Sequence, residues 1–261
     1  VTMWNYPNFN PVALDLGVII IHWYAISYLV GIGLVWWTVI IRNKVYGYGW
    51  TSESISDLVT YAVFGVILGG RIGYILFYDF PQFISEPIII VKIWQGGMSF
   101  HGGLLGVMLA SLVYVKRTGK NFMATMDLIA PSVPLALGCG RIGNFVNGEL
   151  PGRITEVPWG VIFPGEILAR HPSSLYQAFM EGVVLFAVMW LYASVRRPHM
   201  AISGLFLLSY GIIRCFTEIF RQPDSHIGFL MLERLTMGQL LSLPMALLGA
   251  MILIISYRNV S

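Results

Sequence analysis

Residues 138 to 149 read Gly-Cys-Gly-Arg-Ile-Gly-Asn-Phe-Val-Asn-Gly-Glu and stand where a long apolar stretch ends. A membrane segment ordinarily ends in bland interfacial residues, whereas this one ends in Arg141, Asn144, Asn147 and Glu149. A guanidinium fork suits a phosphate or a carboxylate. Flanking glycines let backbone come close to a ligand. Polar groups at membrane depth are costly enough that function is their default reading. The pattern points to a membrane enzyme or transporter that handles an anion at one face of the bilayer.

Other polar residues fall at comparable places. Arg71, Arg141 and Arg214 each lie in the outer part of an apolar segment. One such arginine is ordinarily a snorkelling side chain, but three at similar depth favour a shared site. Glu218 follows Arg214 by four residues and Tyr210 precedes it by four, so the three share a helix face. Arg214 and Glu218 can equally be a structural ion pair, because intramembrane charges usually pair. His22 and Tyr24 are assigned to the outer turns of the first segment, where a tyrosine also serves as a belt anchor. His101 stands in Ser99-Phe100-His101-Gly102-Gly103, and a neutral imidazole can take a proton near pH 7. Gly70-Arg71-Ile72-Gly73 recurs as Gly140-Arg141-Ile142-Gly143. A duplicated hairpin explains the echo, and so does coincidence.

The elements that position these groups follow from composition. Of 261 residues, 56% are hydrophobic and 11% are charged, where a soluble domain has roughly 25% charged. The fold class expected is an all-α polytopic membrane protein with about seven transmembrane helices and a small external head, forming a single integral-membrane domain. Apolar segments lie at about 18–41, 58–78, 99–115, 121–140, 174–195, 201–220 and 238–257, each near the ~20 residues a helix needs to cross. Asp127, Pro131 and Pro134 predict a kink in the fourth. Basic residues are densest in short connections that carry Arg42, Lys44, Lys116, Arg117, Lys120, Arg196 and Arg197, and Arg258 lies in the tail. The positive-inside rule then puts the N-terminus outside and the C-terminus in the cytoplasm. The loop 141–173 is external, and its prolines and glycines predict a head of strands and turns.

Several chemistries lack their residues. There is no His-Glu-x-x-His and no paired Cys/His spacing for zinc. No Walker loop follows a strand, and no serine sits in a Gly-x-Ser-x-Gly elbow. Gly69/Gly73 and Gly102/Gly106 fit small-xxx-small helix packing. Cys139 and Cys215 lie in apolar segments and read as packing residues. The N-terminus has no basic region before its apolar stretch, so a cleaved signal peptide is not expected. The pI near 8.9 reflects the bilayer rather than nucleic acid.

The chain resembles the phosphatidylglycerol–prolipoprotein diacylglyceryl transferases of the bacterial inner membrane. The likeness runs through nearly the whole chain. It takes in His22-Trp23-Tyr24, Gly69 to Tyr74, Gly96 to Gly103, the block Gly140 to Glu149, and Arg170-His171-Pro172-Ser173. It continues through Tyr210 to Glu218, Phe220 to Asp224, and Met237-Gly238-Gln239. The resemblance implies transfer of the diacylglyceryl group of phosphatidylglycerol to the lipobox cysteine of a prolipoprotein signal peptide, with release of glycerol phosphate.

By that resemblance Arg141 contacts the lipid headgroup and Arg214 is a second essential arginine. Asn144 and Glu149 orient Arg141 and the glycerol hydroxyls, with Asn147, Tyr210, Arg71 and Arg221 as further substrate contacts. Tyr24 and Gly152 match positions that the family needs. His101 is the simplest base for the substrate thiol, with Glu218 or the substrate's own phosphate as alternatives. No metal or organic cofactor is implied, and the partners are membrane lipid and signal peptide. The stretch from Pro164 to His171 is shorter than in longer members. The competing class is a lipid or anion transporter with its site between helices, supported by Asp127 and the broken fourth segment.

Overall fold

A computed structural model describes residues 3–17, 20–93, 96–222 and 236–258. Pro223, Asp224 and Arg234 lie outside the described residues. The chain divides into two compact units, Val1–Val39 with Met126–Ser261, and Ile40–Thr125.

The smaller unit is built on two long helices, α2 (Ser52–Tyr78) and α4 (Phe100–Thr118), joined through the short α3 (Phe80–Ser85) and a 3-10 turn, Pro87–Val91. Thr51 caps α2 by accepting from Ser54 N at 3.0 Å. Ser99 caps α4 at Gly102 N (3.2 Å), and Gly119 ends it at φ 67°. Such caps satisfy amides that a helix start leaves unpaired. The helices pack through the small residues marked by the sequence. A Cβ on Gly69 would stand 2.7 Å from Gly106 Cα, and one on Gly73 2.8 Å from Gly102 Cα. Only glycine allows that approach.

The larger unit holds most of α1 (Trp23–Tyr46), α6 (Val133–Val146), α7 (Ser173–Gln177) running through a π-helical stretch, Ala178–Val184, into α8 (Leu185–Tyr192), then α9 (Ala201–Thr217) and α10 (Met237–Arg258). α5 (Phe122–Ile129) precedes α6, and the two are bent by 55° at their break. Pro131 and Pro134 at the break account for the expected kink. Ala130, Leu185, Met189, Ala193 and Ile202 form a buried apolar core.

The protein is mostly helical and polytopic. Among the described residues, α1, α2, the continuous Ser173–Tyr192 run and α10 are long and apolar enough to cross a membrane, with the bent α5–α6 pair as a fifth candidate. The expectation of seven is not reached on length and composition. α9 has only 17 residues, and α4 carries His101, Lys116 and Arg117.

The first expected segment needs a correction. Ahead of Trp23 its described residues are not helical: Ile20–His22 form strand β3, paired antiparallel with β2 (Val12–Asp15), His22 opposite Val12. The β-branched Ile20 and Ile21 favour the extended form. His22 is therefore a strand residue rather than part of a helix turn.

The N-terminus also joins the 141–173 loop. β1 (Trp4–Asn5) runs parallel to β4 (Val161–Ile162). Tyr6, Val161 and Phe163 are buried together against Phe145. This small head closes over the end of α6.

Candidate anion site at the end of α6

α6 carries Arg141 and Asn144 and ends at Val146. Tyr6 seals that end by donating its hydroxyl to the carbonyls of Phe145 and Val146, both at 2.8 Å. The chain then turns through two residues in the left-handed region, Gly148 (φ 68°) and Leu150 (φ 56°). A leucine there is strained. Its carbonyl is held by Ser173 Oγ at 2.7 Å. The turn brings Glu149 back over α6, where its two oxygens accept from Asn144 Nδ2 (2.9 Å) and Asn147 Nδ2 (3.2 Å). Both asparagine amides thereby aim one carboxylate. The Tyr24 hydroxyl lies 3.0 Å from that of Tyr28 and within reach of the Asn144 amide.

Beside this network is a cluster of four charges, three of them buried (Glu181, Arg214 and Glu218) and Arg141 partly exposed. Arg141 Nε donates to Glu181 Oε2 at 3.1 Å. Arg214 Nη1 donates to Glu181 Oε1 at 3.2 Å, and its Nη2 pairs with Glu218 Oε2 at 2.6 Å. Thr217 Oγ1 adds a longer contact to Glu181 Oε1 (3.4 Å). The Tyr210 hydroxyl is within hydrogen-bonding reach of Arg141. Two arginines and two glutamates leave the cluster neutral, which limits the cost of burying it.

Exposure separates the two arginines. The Arg141 side chain is 18% exposed and the Arg214 side chain 8%, while Glu181 is fully buried. Arg214 has both terminal nitrogens engaged by carboxylates. Among the described residues Arg141 is tied to a carboxylate only through Nε, so its terminal end can address an anion with parallel hydrogen bonds. Gly238 lets α10 approach the cluster, since a Cβ there would stand 2.6 Å from the Glu218 carboxyl carbon.

Gly152 is fixed by crowding. A Cβ on it would meet the His171 carbonyl oxygen at 2.5 Å and the Phe220 carbonyl oxygen at 2.6 Å. Its own amide donates to His171 O at 2.9 Å, and it bridges to Arg221. Arg221 therefore sits beside Gly152, and its carbonyl accepts from Arg153 Nε at 3.1 Å.

The remaining candidates belong to the smaller unit. Arg71 is buried, and its guanidinium donates to the carbonyls of Ile89, Gly96 and Gly97. His101 is an exposed residue in the first turn of α4. The structure thus gathers Tyr24, Arg141, Asn144, Asn147, Glu149, Gly152, Tyr210, Arg214, Glu218 and Arg221 within the larger unit, and sets Arg71 and His101 in the other.

Sequence reasoning missed Glu181. It lies inside an apolar run without a motif, and its signal was being the single acid of that segment. Gln177, one turn earlier, was missed too. It is 1% exposed and its amide has no hydrogen-bond partner among the described residues. Asp127 has a local explanation. Its carboxylate accepts from Met200 N (2.7 Å), Ser203 N (2.8 Å) and Ser203 Oγ (2.6 Å). It thereby caps the amides at the start of α9, which removes the main support for a transporter.

A family model described as prolipoprotein diacylglyceryl transferase matches residues 11–255. The chain is 52% identical over 259 residues to a phosphatidylglycerol–prolipoprotein diacylglyceryl transferase of Azotobacter vinelandii, covering 98% of each chain. A Legionella pneumophila protein of the same name is 52% identical over 248 residues, covering 95% of this chain and 97% of its own. One from Pseudomonas paraeruginosa is 51% identical over 258 residues, covering 98% and 97%.

Proposed function

The chain belongs to the prolipoprotein diacylglyceryl transferase family, and from that premise we propose that it moves the diacylglyceryl group of phosphatidylglycerol onto the lipobox cysteine of a prolipoprotein. The sulfur forms a bond to the glyceryl carbon as that carbon's bond to the phosphate oxygen breaks. The thiol proton goes to a base, and glycerol phosphate leaves. Thiolate and lipid each carry one negative charge, the thioether carries none, and so a second charge collects on the departing phosphate. An arginine aimed at that oxygen supplies the matching stabilisation.

The observation that carries this reading is Arg141, held by Nε against Glu181 with its terminal end unclaimed by any other carboxylate among the described residues. Arg141 is the headgroup contact. Arg214, saturated by Glu181 and Glu218, supports the site by keeping those acids in place. Glu149, aimed by Asn144 and Asn147, accepts from the headgroup's glycerol hydroxyls, with Tyr24 and Tyr210 as polar walls. Gly152 and Arg221 shape the head above them. The four carbonyl-directed bonds of Arg71 favour a scaffold part for it over a substrate contact. His101 is the proposed base, and Glu218 and the substrate phosphate are its competitors. A neutral imidazole needs no separate partner to take a thiol proton.

The density of basic residues in the short connections supports an external N-terminus and a cytoplasmic C-terminus in the bacterial inner membrane. The site then opens to the outer leaflet, where signal peptides emerge. The test is mass spectrometry of a lipobox peptide incubated with the purified protein and phosphatidylglycerol. A diacylglyceryl mass on the cysteine supports the reading. An unmodified peptide from protein that still binds the lipid overturns it.

A further inference from the structure

We propose that Glu181 is a positioning residue for the transfer, fixing the angle at which Arg141 presents its terminal nitrogens to the phosphate. The inference rests on the transferase reading above. Glu181 touches no reacting atom; it acts through Arg141.

The geometry has three parts. First, one carboxylate serves three donors. Oε2 accepts from Arg141 Nε at 3.1 Å, and Oε1 faces Arg214 Nη1 at 3.2 Å and Thr217 Oγ1 at 3.4 Å. Donors from α6 and α9 therefore pin its plane. Second, the side chain is fully buried, so water cannot replace any of these partners. Third, Glu181 lies in the π-helical stretch Ala178–Val184. A π turn carries an extra residue, and each residue turns an α-helix by about 100°. A regular α-helix would aim position 181 elsewhere. The next residue, Gly182, holds the backbone against α6, since a Cβ on it would stand 2.8 Å from Gly138 Cα.

The chemical consequence concerns freedom of movement. A guanidinium on a flexible stem reaches many positions, and catalysis gains only from those aimed where charge develops. Holding Nε leaves the terminal nitrogens in one orientation before the lipid arrives. Glu181 alone would repel a phosphate. Arg214, bound to its other oxygen, offsets that charge.

The test combines two variants with a double-mutant cycle. Glu181→Gln keeps the shape and one acceptor oxygen but loses the charge. Glu181→Asp keeps the charge and withdraws it by one methylene. The expected result for Glu181→Gln is a loss on the order of 100-fold in kcat/KM for phosphatidylglycerol, the scale of breaking a buried pair. Glu181→Asp should recover part of it. Made in an Arg141→Lys background, which has no Nε to hold, Glu181→Gln should cost less than about 3-fold more. A merely structural residue would multiply its penalty onto that of Arg141→Lys. Affinity for a short-chain phosphatidylglycerol, titrated in detergent, should follow the same cycle without requiring turnover. Near wild-type turnover in Glu181→Gln overturns the proposal, as do fully multiplicative penalties. If Glu181→Gln does not fold, full activity and unchanged lipid affinity in Glu181→Asp overturn it instead. A wild type that binds lipid but transfers nothing refutes the transferase reading and leaves the affinity cycle to decide the part played by Glu181.

Discussion

The tetrapeptide Gly-Arg-Ile-Gly occurs twice, and its two arginines have different employment. Arg71 on α2 turns to carbonyls of the segment that follows it, those of Ile89, Gly96 and Gly97. Arg141 on α6 meets a carboxylate and retains 18% exposure. The glycines play similar parts in both copies. The second glycine shows it: Gly73 admits α4, while a Cβ on Gly143 would stand 3.2 Å from both Ser27 Cβ and Tyr24 Cδ2 of α1. What differs is the partner. Backbone carbonyls occupy every guanidinium nitrogen of Arg71, whereas among the described residues Arg141 meets a carboxylate at Nε alone. A motif therefore fixes how closely helices approach, and the neighbouring chain decides whether the charge between them is structural or chemical.

The sharpest test of that contrast is Arg141→Ala, for which turnover on a lipobox peptide should fall by roughly 10²–10³-fold, with melting temperature in detergent little changed because Glu181 keeps Arg214. A large loss of stability instead would make Arg141 structural, like Arg71. Gly152→Ala comes next. Its Cβ would overlap two carbonyl oxygens, and overpacking of this kind costs about 1–3 kcal/mol. Limited proteolysis should show the head opening, and an unaltered cleavage pattern would mean that the crowding is relieved by a small shift.

Arg71→Ala should show the converse of Arg141→Ala. Leaving buried carbonyls unpaired costs about 1–3 kcal/mol each, so the melting temperature should drop while the apparent KM for phosphatidylglycerol holds. A raised KM with normal stability would put Arg71 in the lipid site after all. The smallest effect expected is one of pH. Burial lowers the His171 pKa below its usual value. As pH falls through about 6.5, the opened head takes up a proton that the closed head refuses. Stability of the head is therefore full above that range and declines from there down to the lowered value. The protection factors of amides around Gly152, taken relative to the intrinsic exchange rate at each pH, should be lower at pH 5 than at pH 8, and His171→Phe should flatten the difference.

How much of this was legible beforehand depended on distance along the chain. The i, i+4 pair Arg214–Glu218 was readable and is closed at 2.6 Å. The glycine contacts of α2 with α4 and the break before α6 were readable for the same reason, since each is local or periodic. Glu181 was not, because its partners stand 40 and 33 residues away and no spacing rule connects them. The strand pairing of Trp4 with Val161 was hidden similarly, and so was the left-handed Leu150, a residue type that gives no hint of positive φ. The candidate residues that the structure gathers around α6 could be named from sequence, but the carboxylate bonded to two of them could not.

The shared Glu181 has a consequence for how the protein comes to be in the membrane. A charged side chain costs up to about 2.5–3.5 kcal/mol to insert at the centre of an isolated span, and less toward its ends. Here the acid sits on the Ser173–Tyr192 run and its two arginines on α6 and α9. None of the three is well suited to lipid by itself. Each becomes tolerable when it meets the others, which ties the three helices together energetically. Apart from one another these side chains would be charges facing lipid, so packing of the three helices and burial of the ion cluster are one event.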